Sequence, residues 1–310
     1  MIWLGLVVSL AVLVWSGGAL ASVLGRLAGA LKVSSFIISF VLMAAATSVP
    51  ELSVGIVSSL EGKGSLSFGN VVGSNIANIA LVMGVLMLLS GRLKIRSVIR
   101  RREAAWAAGL ALLPLLLALD GKLSRGDGAA LLLAFLAYMA QLLRSSRFFH
   151  EADGVKGDPR FWRNVAMFVG LVAVLVYSSR WVVYFAVEAA GLLGVPVFVI
   201  GLFVLAIGTS LPELVFAIRS SLAGDPLLSM GDITGSIVFN ASVVLGITAL
   251  ISPVKLQSVS HYLASAVTLL ALLLYLVLAT HTEKATSRLW GGILLAVYVG
   301  FVAFEWIGAH

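Results

Sequence analysis

The chain contains no cysteine and few charged residues, and both features narrow the range of possible functions. Without cysteine, neither disulfide bonds nor thiolate chemistry can contribute. Charged residues make up 11% of the 310 residues, whereas soluble domains carry about 25%. An ordinary soluble domain is therefore excluded. Neither a zinc cluster nor a proton relay inside a hydrophobic segment is expected, because the four histidines fall in predicted loops, near the start of a predicted span or at the terminus: His150, His261, His281 and His310.

Hydrophobic residues are abundant instead, at 60% of the chain, and they occur in runs long enough to cross a lipid bilayer. The first run does not resemble a cleaved signal peptide, because it is too long and no basic segment precedes it. The runs predict an all-α integral membrane protein. Its ten predicted transmembrane helices are residues 2–25, 34–60, 65–90, 103–119, 128–144, 162–193, 196–222, 226–252, 258–280 and 288–308.

One segment of the chain is present twice, with an offset of 162 residues. The first copy begins at Phe36 and the second at Phe198, and 23 of the 55 positions in residues 36–90 are identical to their partners. Because each half contains five spans, which is an odd number, the two halves are predicted to be inverted relative to each other in the membrane. The predicted organisation is a first five-helix repeat, a polar cytoplasmic linker and a second five-helix repeat, at 1–145, 146–160 and 161–310.

Lysine and arginine are distributed unevenly between the two sides of this topology. The loops after spans 1, 3, 5, 7 and 9 hold sixteen of them, and the opposite loops hold four. The positive-inside bias makes the first side cytoplasmic and both termini extracellular. The net charge of +7 then reflects topology and contact with lipid headgroups, and no nucleic-acid partner is expected.

Each copy carries Thr-Ser-x-Pro-Glu within an otherwise apolar segment. Proline lacks an N–H, so the carbonyls before Pro50 and Pro212 are predicted to lose intrahelical partners and to need protein or ions instead. A carboxylate inside a membrane span costs at least about 2.5–3.5 kcal/mol and is functional by default. Glu51 and Glu213 with nearby carbonyl and hydroxyl oxygens therefore predict an oxygen-only cation site that suits calcium, or sodium in multiples.

Spans 3 and 8 each add a polar pair, Ser74 with Asn78 and Ser236 with Asn240. The two members of each pair are four residues apart, so they share one helix face. Four glycines on the same two spans predict close helix packing. They are Gly69, Gly73, Gly231 and Gly235.

The two Thr-Ser-x-Pro-Glu segments, each followed by Gly-[Asn/Asp]-x-x-Gly-Ser, resemble the paired alpha-repeats of the sodium/calcium exchanger family, within the cation/calcium antiporters. The resemblance covers the whole chain. It favours the sodium-coupled branch, because the proton/calcium branch typically has Gly-Asn-x-x-Glu here. It implies that Glu51, Glu213 and the carbonyls of Thr47 and Thr209 coordinate calcium. It also implies two flanking sodium positions and two central amides: Ala44, Thr47, Ser48 and Ser236 on one side, Ala206, Thr209, Ser210 and Ser74 on the other, and Asn78 and Asn240 facing the centre.

The chain departs from the family pattern at four positions, of which Ile237 replaces a usual asparagine and Ala46 a usual glycine. Many members carry an aspartate where Asn240 stands and an asparagine where Asp232 stands. The centre then holds two acids rather than three, which leaves the sodium stoichiometry open. Asp232 has two interpretations: a cap near the start of span 8, which is favoured, or a displaced acid on the same polar face as Asn240.

The resemblance implies a secondary antiporter that exchanges calcium for sodium by alternating access, without a cofactor, as a monomer in the plasma membrane. Spans 1 and 6 would move across the other eight. Gly17 and Gly18, opposite Ser179 and Arg180, predict a weakly packed sliding face.

Three alternatives were weighed against this antiporter. An antiporter of calcium or another divalent cation with a different counter-ion, H⁺, K⁺ or Li⁺, would keep the same architecture. A cation channel would also accept a pair of glutamates, but channels usually arrange identical elements about the pore axis. An intramembrane hydrolase is not expected, because Ser48 and Ser210 have no histidine or lysine nearby to act as a base.

Overall fold

Helices form almost all of the computed structural model, which describes residues 1–30, 44–91, 101–144, 161–224, 226–256, 259–280 and 286–308. The predicted linker at 146–160 and the beginning of the predicted second span lie outside the described residues. The first half comprises α1 (Ile2–Ala30), α2 (Ala44–Thr47), α3 (Val49–Leu60), α4 (Gly64–Ala77), a π-helical turn (Asn78–Val82), α5 (Met83–Ser90), α6 (Arg101–Leu117), a 3₁₀ turn (Ala118–Asp120), β1 (Lys122–Leu123) and α7 (Arg125–Arg144).

The second half has a similar order of elements. It comprises α8 (Phe161–Leu193), α9 (Val197–Ile200), a π-helical turn (Gly201–Leu205), α10 (Ala206–Thr209), α11 (Leu211–Leu222), α12 (Pro226–Phe239), a π-helical turn (Asn240–Val244), α13 (Leu245–Ile251), β2 (Val254–Lys255), α14 (Val259–Ala279) and α15 (Arg288–Gly308). From α2 to the π-helical turn after α4, every bound recurs 162 residues later.

Seven of the helical stretches are long and apolar enough to cross a membrane: Ile2–Leu20, Gly64–Ser90, Trp162–Leu193, Val197–Leu222, Ser229–Ile251, Tyr262–Ala279 and Arg288–Ile307. The other three predicted spans are helical where the structure describes them, as Val49–Leu60, Ala104–Asp120 and Arg125–Arg144. Large apolar side chains such as Leu4, Leu133 and Phe304 are exposed on the outer surface, as expected of side chains that face lipid. The chain is a multi-pass helical membrane protein, and the count of ten spans stays a prediction.

The expectation of a purely α-helical chain is wrong at one point, a short antiparallel strand pair. Lys122 pairs with Lys255 and Leu123 with Val254. The two loops leave α6 and α13 in extended form, and the fully buried Leu123 and Val254 anchor them to the core. Both loops were predicted on the same side of the membrane, and their pairing agrees with that placement.

Helix α4 lies at the centre of the bundle, and all of its residues are buried. Its glycines allow the segment Val197–Leu205 to cross it in direct contact. A Cβ atom at Gly69 would lie 2.2 Å from the carbonyl oxygen of Phe198, and one at Gly73 would lie 2.1 Å from that of Leu202. The predicted close packing is confirmed for these two glycines, and it brings the first half against the second at the depth of the duplicated motifs.

Candidate cation-binding site

Both Thr-Ser-x-Pro-Glu motifs interrupt their helices at the serine. Ser48 separates α2 from α3, and Ser210 separates α10 from α11, with nearly identical backbone angles (φ −84°, ψ 5° and φ −83°, ψ 2°). One expected consequence is wrong at two of the predicted positions. The carbonyls of Ala44 and Ala206 are not freed, because each accepts a hydrogen bond, at 3.1 Å, from the backbone N–H of the serine four residues later. The Ala44 carbonyl also accepts a hydrogen bond from the Thr47 hydroxyl, at 3.2 Å.

The two glutamates stand in the first turns of the helices that follow these breaks. Glu51 and Glu213 are completely buried. The Ser74 hydroxyl donates to Oε1 of Glu51 at 3.4 Å, whereas Oε2 of Glu51 and both carboxylate oxygens of Glu213 have no hydrogen-bond partner among the described residues. Neither glutamate forms an ion pair with a lysine or arginine of the described residues. Buried carboxylates of this kind require a cation or a proton.

Hydroxyl groups join the two halves crosswise beside the glutamates. The Thr47 hydroxyl lies 3.1 Å from that of Ser236, and the Thr209 hydroxyl lies 3.3 Å from that of Ser74. The Thr-Ser-x-Pro-Glu motif of the first half thus contacts α12, and that of the second half contacts α4. The structure brings all four of these predicted residues together.

Behind these hydroxyls stand Asp232 and Asn70, which occupy equivalent positions in the two halves. The Thr47 hydroxyl donates to Oδ1 of Asp232 at 3.2 Å, and the Thr209 hydroxyl donates to Oδ1 of Asn70 at 3.2 Å. The favoured interpretation of Asp232 as a helix cap is wrong: it is the seventh residue of α12 and only 1% exposed. Sequence reasoning missed Asn70, although its position opposite Asp232 in the repeat was a usable signal.

The central asparagines mark a further irregularity. Asn78 and Asn240 are the first residues of equivalent π-helical turns. Neither side chain is exposed, and neither amide makes a hydrogen bond within the described residues. The buried hydroxyls of Ser48 and Ser210 likewise make no hydrogen bond within the described residues. π-helical turns are frequent at functional sites, and nothing in the sequence indicated these two.

The unpaired polar atoms decide what the site can do chemically. Leaving a buried donor or acceptor unpaired costs about 1–3 kcal/mol, so a fold does not collect many of them without a partner. Here most of those in the described residues belong to the predicted site. Carboxylate, amide and hydroxyl oxygens are the ligands that hard cations prefer. The arrangement therefore suits cations, and the described part of it holds no histidine or lysine that could activate a nucleophile.

A cavity of about 500 Å³ lies between α1 and α11 and reaches the site at Thr47 and Pro212. Its lining residues are Val14, Trp15, Gly18, Ala19, Ser22, Thr47, Leu211, Pro212, Val215, Phe216 and Arg219. It extends along α11 to Arg219, near the end of that helix. The site is thus connected to a cavity along one pair of helices, α1 and α11.

The equivalent pair of helices in the other half, α8 and α3, is closed. The two helices pack along each other, and the Ser53 hydroxyl donates to that of Ser179 at 2.9 Å. The predicted weakly packed face is wrong for Gly17, because a Cβ atom there would lie 2.6 Å from Cγ of Pro50. It holds for Gly18, which faces the cavity. The two equivalent interfaces therefore differ, one open and one shut.

The fold and the site together define a membrane transporter rather than an enzyme, and comparison with known proteins identifies its family. The model of the sodium/calcium exchanger protein family matches residues 1–144 and 163–307. CaxA of Alkalimonas amylolytica is 31% identical over 95% of both chains, and the sodium/calcium exchanger MaX1 of Methanosarcina acetivorans is 28% identical over 88% of this chain and 89% of its own. The chain belongs to the sodium/calcium exchanger family.

A solved structure shares the fold over almost the whole length. The sodium-calcium exchanger NCX_Mj, soaked with 10 mM Na⁺ and zero Ca²⁺, is 25% identical, covers 98% of this chain and 99% of its own, and gives a TM-score of 0.69. The chain is thus a transmembrane antiporter of the cation/calcium type.

Proposed function

We propose that this chain exchanges calcium for sodium across the cell membrane by alternating access. The observation that most directly supports this proposal is the pair of completely buried glutamates, Glu51 and Glu213. Three of their four carboxylate oxygens are unpaired in the described structure. Two carboxylates balance the charge of one calcium ion or of two sodium ions. MaX1 and NCX_Mj are both named sodium/calcium exchangers, which supports the same pair of ions here.

The surrounding oxygens suit the flanking roles predicted for them. We assign to one sodium position the carbonyl of Ala44 with Thr47, Ser48 and Ser236, and to the other the carbonyl of Ala206 with Thr209, Ser210 and Ser74. The hydroxyl contacts between Thr47 and Ser236 and between Thr209 and Ser74 support this grouping. The unpaired amides of Asn78 and Asn240 are assigned to the centre.

The cavity between α1 and α11 supplies the route to one side. In the predicted topology Arg219 lies at the cytoplasmic end of span 7, so the cavity leads to the cytoplasm and the termini are extracellular. The structure then corresponds to a state open to the inside. We propose that the exchanger works as a monomer in the plasma membrane, with two inverted five-helix halves. The recurrence of the helix bounds at 162 residues supports that organisation.

Calcium-45 uptake into proteoliposomes tests this function, with sodium, lithium, potassium or protons as the only outward gradient. Uptake that requires sodium inside the vesicles is the expected result. Uptake driven by another of these cations would favour the second candidate, an antiporter with a different counter-ion. The observation behind this candidate is Asn240, which is uncharged where many family members carry an aspartate. Uptake without any counter-ion inside would indicate a channel.

A further inference from the structure

The two flanking cation positions are chemically unequal, although the motifs beside them are nearly the same. At each position a threonine hydroxyl contacts a serine hydroxyl and one further polar side chain, and the two further side chains occupy equivalent places in the repeat. This further side chain is an amide in one case, Asn70, and a carboxylate in the other, Asp232. Every other polar side chain in these two groups is identical, with Thr47 and Ser236 matching Thr209 and Ser74.

Asp232 has the surroundings of a cation ligand rather than of a structural acid. It is 1% exposed, and its Oδ2 atom has no hydrogen-bond partner in the described structure. No lysine or arginine of the described residues pairs with it. The Thr47 hydroxyl, which donates to its Oδ1 atom, lies 3.1 Å from the hydroxyl of Ser236. A carboxylate and two hydroxyls are a suitable oxygen set for one monovalent cation.

The carboxylate of Asp232 also serves a different position from the two glutamates. Asp232 is close enough to Glu51 and Glu213 to interact with both electrostatically. Among the described residues, however, no three acidic or histidine side chains converge on one point. Glu51 and Glu213 balance a divalent ion at the centre, so the third charge is available to an ion bound beside them.

We propose that Asp232 is a direct ligand of a sodium-sized monovalent cation bound beside Thr47 and Ser236. The equivalent position beside Asn70, Thr209 and Ser74 is neutral and binds such a cation more weakly. The chain thereby keeps three acids in its site, with the third at a flanking position instead of at Asn240. This inference rests on the proposed function, since it concerns the counter-ion of the same site.

The informative substitution is Asp232→Asn, because it removes only the charge. An asparagine keeps an Oδ1 acceptor for the Thr47 hydroxyl, as Asn70 already does for Thr209. A purely structural role would therefore survive the substitution. The matched control is Glu188→Gln, which removes a charge from an exposed side chain of α8.

Calcium-45 binding to the purified protein, displaced by increasing Na⁺, Li⁺ or K⁺, gives the readout. In Asp232→Asn the sodium concentration that displaces half of the calcium should rise about tenfold or more, since the charge of the ligand set tunes affinity. Calcium affinity measured without sodium should change much less. Adding Asn70→Asp to Asp232→Asn should restore displacement by moving the charge to the other flank. Glu188→Gln should behave like the natural protein.

Three outcomes would overturn the inference. In the first, Asp232→Asn needs the same sodium concentration as the natural protein to displace half of the calcium. In the second, that variant no longer binds calcium even when sodium is absent. In the third, no monovalent cation displaces calcium from the natural protein. The proposed function fails separately, when the natural protein moves no calcium against a sodium gradient in vesicles.

Discussion

The hydrogen bond between Ser53 and Ser179 is expected to hold the α3–α8 interface closed. Its equivalent across the repeat is Val215 with Gly17, a pair without a polar side chain, and Val215 lines the cavity at the open interface. Ser179→Ala removes the acceptor of the Ser53 hydroxyl, and a buried hydrogen bond contributes about 0.5–1.5 kcal/mol net. If that bond exists only in the closed arrangement, the ratio of open to closed interface rises about 2- to 13-fold.

The lower part of this range is the more realistic expectation. In the substituted protein the Ser53 hydroxyl still has the carbonyl of Leu175, at 3.5 Å, as a weaker acceptor. The loss is thus the difference between a good and a poor hydrogen bond rather than a completely unpaired hydroxyl.

A cysteine reporter at this interface measures the change directly, because the chain has no cysteine of its own. Leu175→Cys places a thiol at a position that is 1% exposed in the closed interface. Its rate of reaction with a membrane-impermeant maleimide should rise about 2- to 13-fold when Ser179→Ala is added. Ser178→Ala is the control, since Ser178 donates only to the carbonyl of Leu175 within its own helix. Equal labelling rates with and without Ser179→Ala, or an equal rise with Ser178→Ala, would refute the reasoning.

A covalent version of the same contact should arrest transport. The two hydroxyl oxygens are 2.9 Å apart, so Ser53→Cys with Ser179→Cys brings two sulfur atoms near bonding distance. Oxidation should then stop calcium exchange, and a reductant should restore it, while either single cysteine leaves exchange insensitive to oxidant. Full exchange by the oxidised pair would mean that α8 does not move relative to α3.

Three further predictions concern the site and the packing around it. Glu51→Gln and Glu213→Gln should each lower calcium-45 exchange about 100-fold or more while the protein still inserts into the membrane, because one carboxylate cannot replace the hydration shell of calcium. Near-normal exchange in either variant would disprove the shared site. Asn240→Asp adds a central acid, so the sodium-to-calcium ratio obtained from reversal potentials should rise; an unchanged ratio would show that position 240 does not set it. Gly73→Ala should destabilise the protein by about 1–3 kcal/mol, because the added Cβ atom would clash with the backbone of the second half. A lower Tm in detergent would show this, whereas Gly170→Ala, which has open space around it, should leave Tm unchanged.

The duplication predicted the parts of the fold that depend on local chemistry. Helix breaks at the two proline motifs and the close approach at Gly69 and Gly73 follow from properties of proline and glycine that do not require knowledge of the neighbours. No pattern within one half predicts which helix supplies those neighbours. The crosswise contact of Thr47 with Ser236 depends on how the two halves interlock, so only the family resemblance, which groups these two residues, indicated it.

The errors have the same physical origin. Asp232 was interpreted as a cap because an acid near a helix start is usually solvated, and its burial depends on α2 from the other half. The π-helical turns at Asn78 and Asn240 have no compositional signal, because a single inserted residue leaves the apolar pattern intact. The strand pair was missed because two residues per strand are too few to show an alternation.

The positions at which the two halves differ carry information that the identical positions cannot. Identical residues, such as Glu51 and Glu213, build what both halves share, which under the proposed inverted organisation is the site reached from either side. A difference between equivalent residues must instead favour one side over the other. Ser53 with Ser179 stabilises one closed interface, whereas Val215 with Gly17 offers no such bond to the other. We therefore expect those few departures from the repeat to set the balance between the two arrangements of the interfaces.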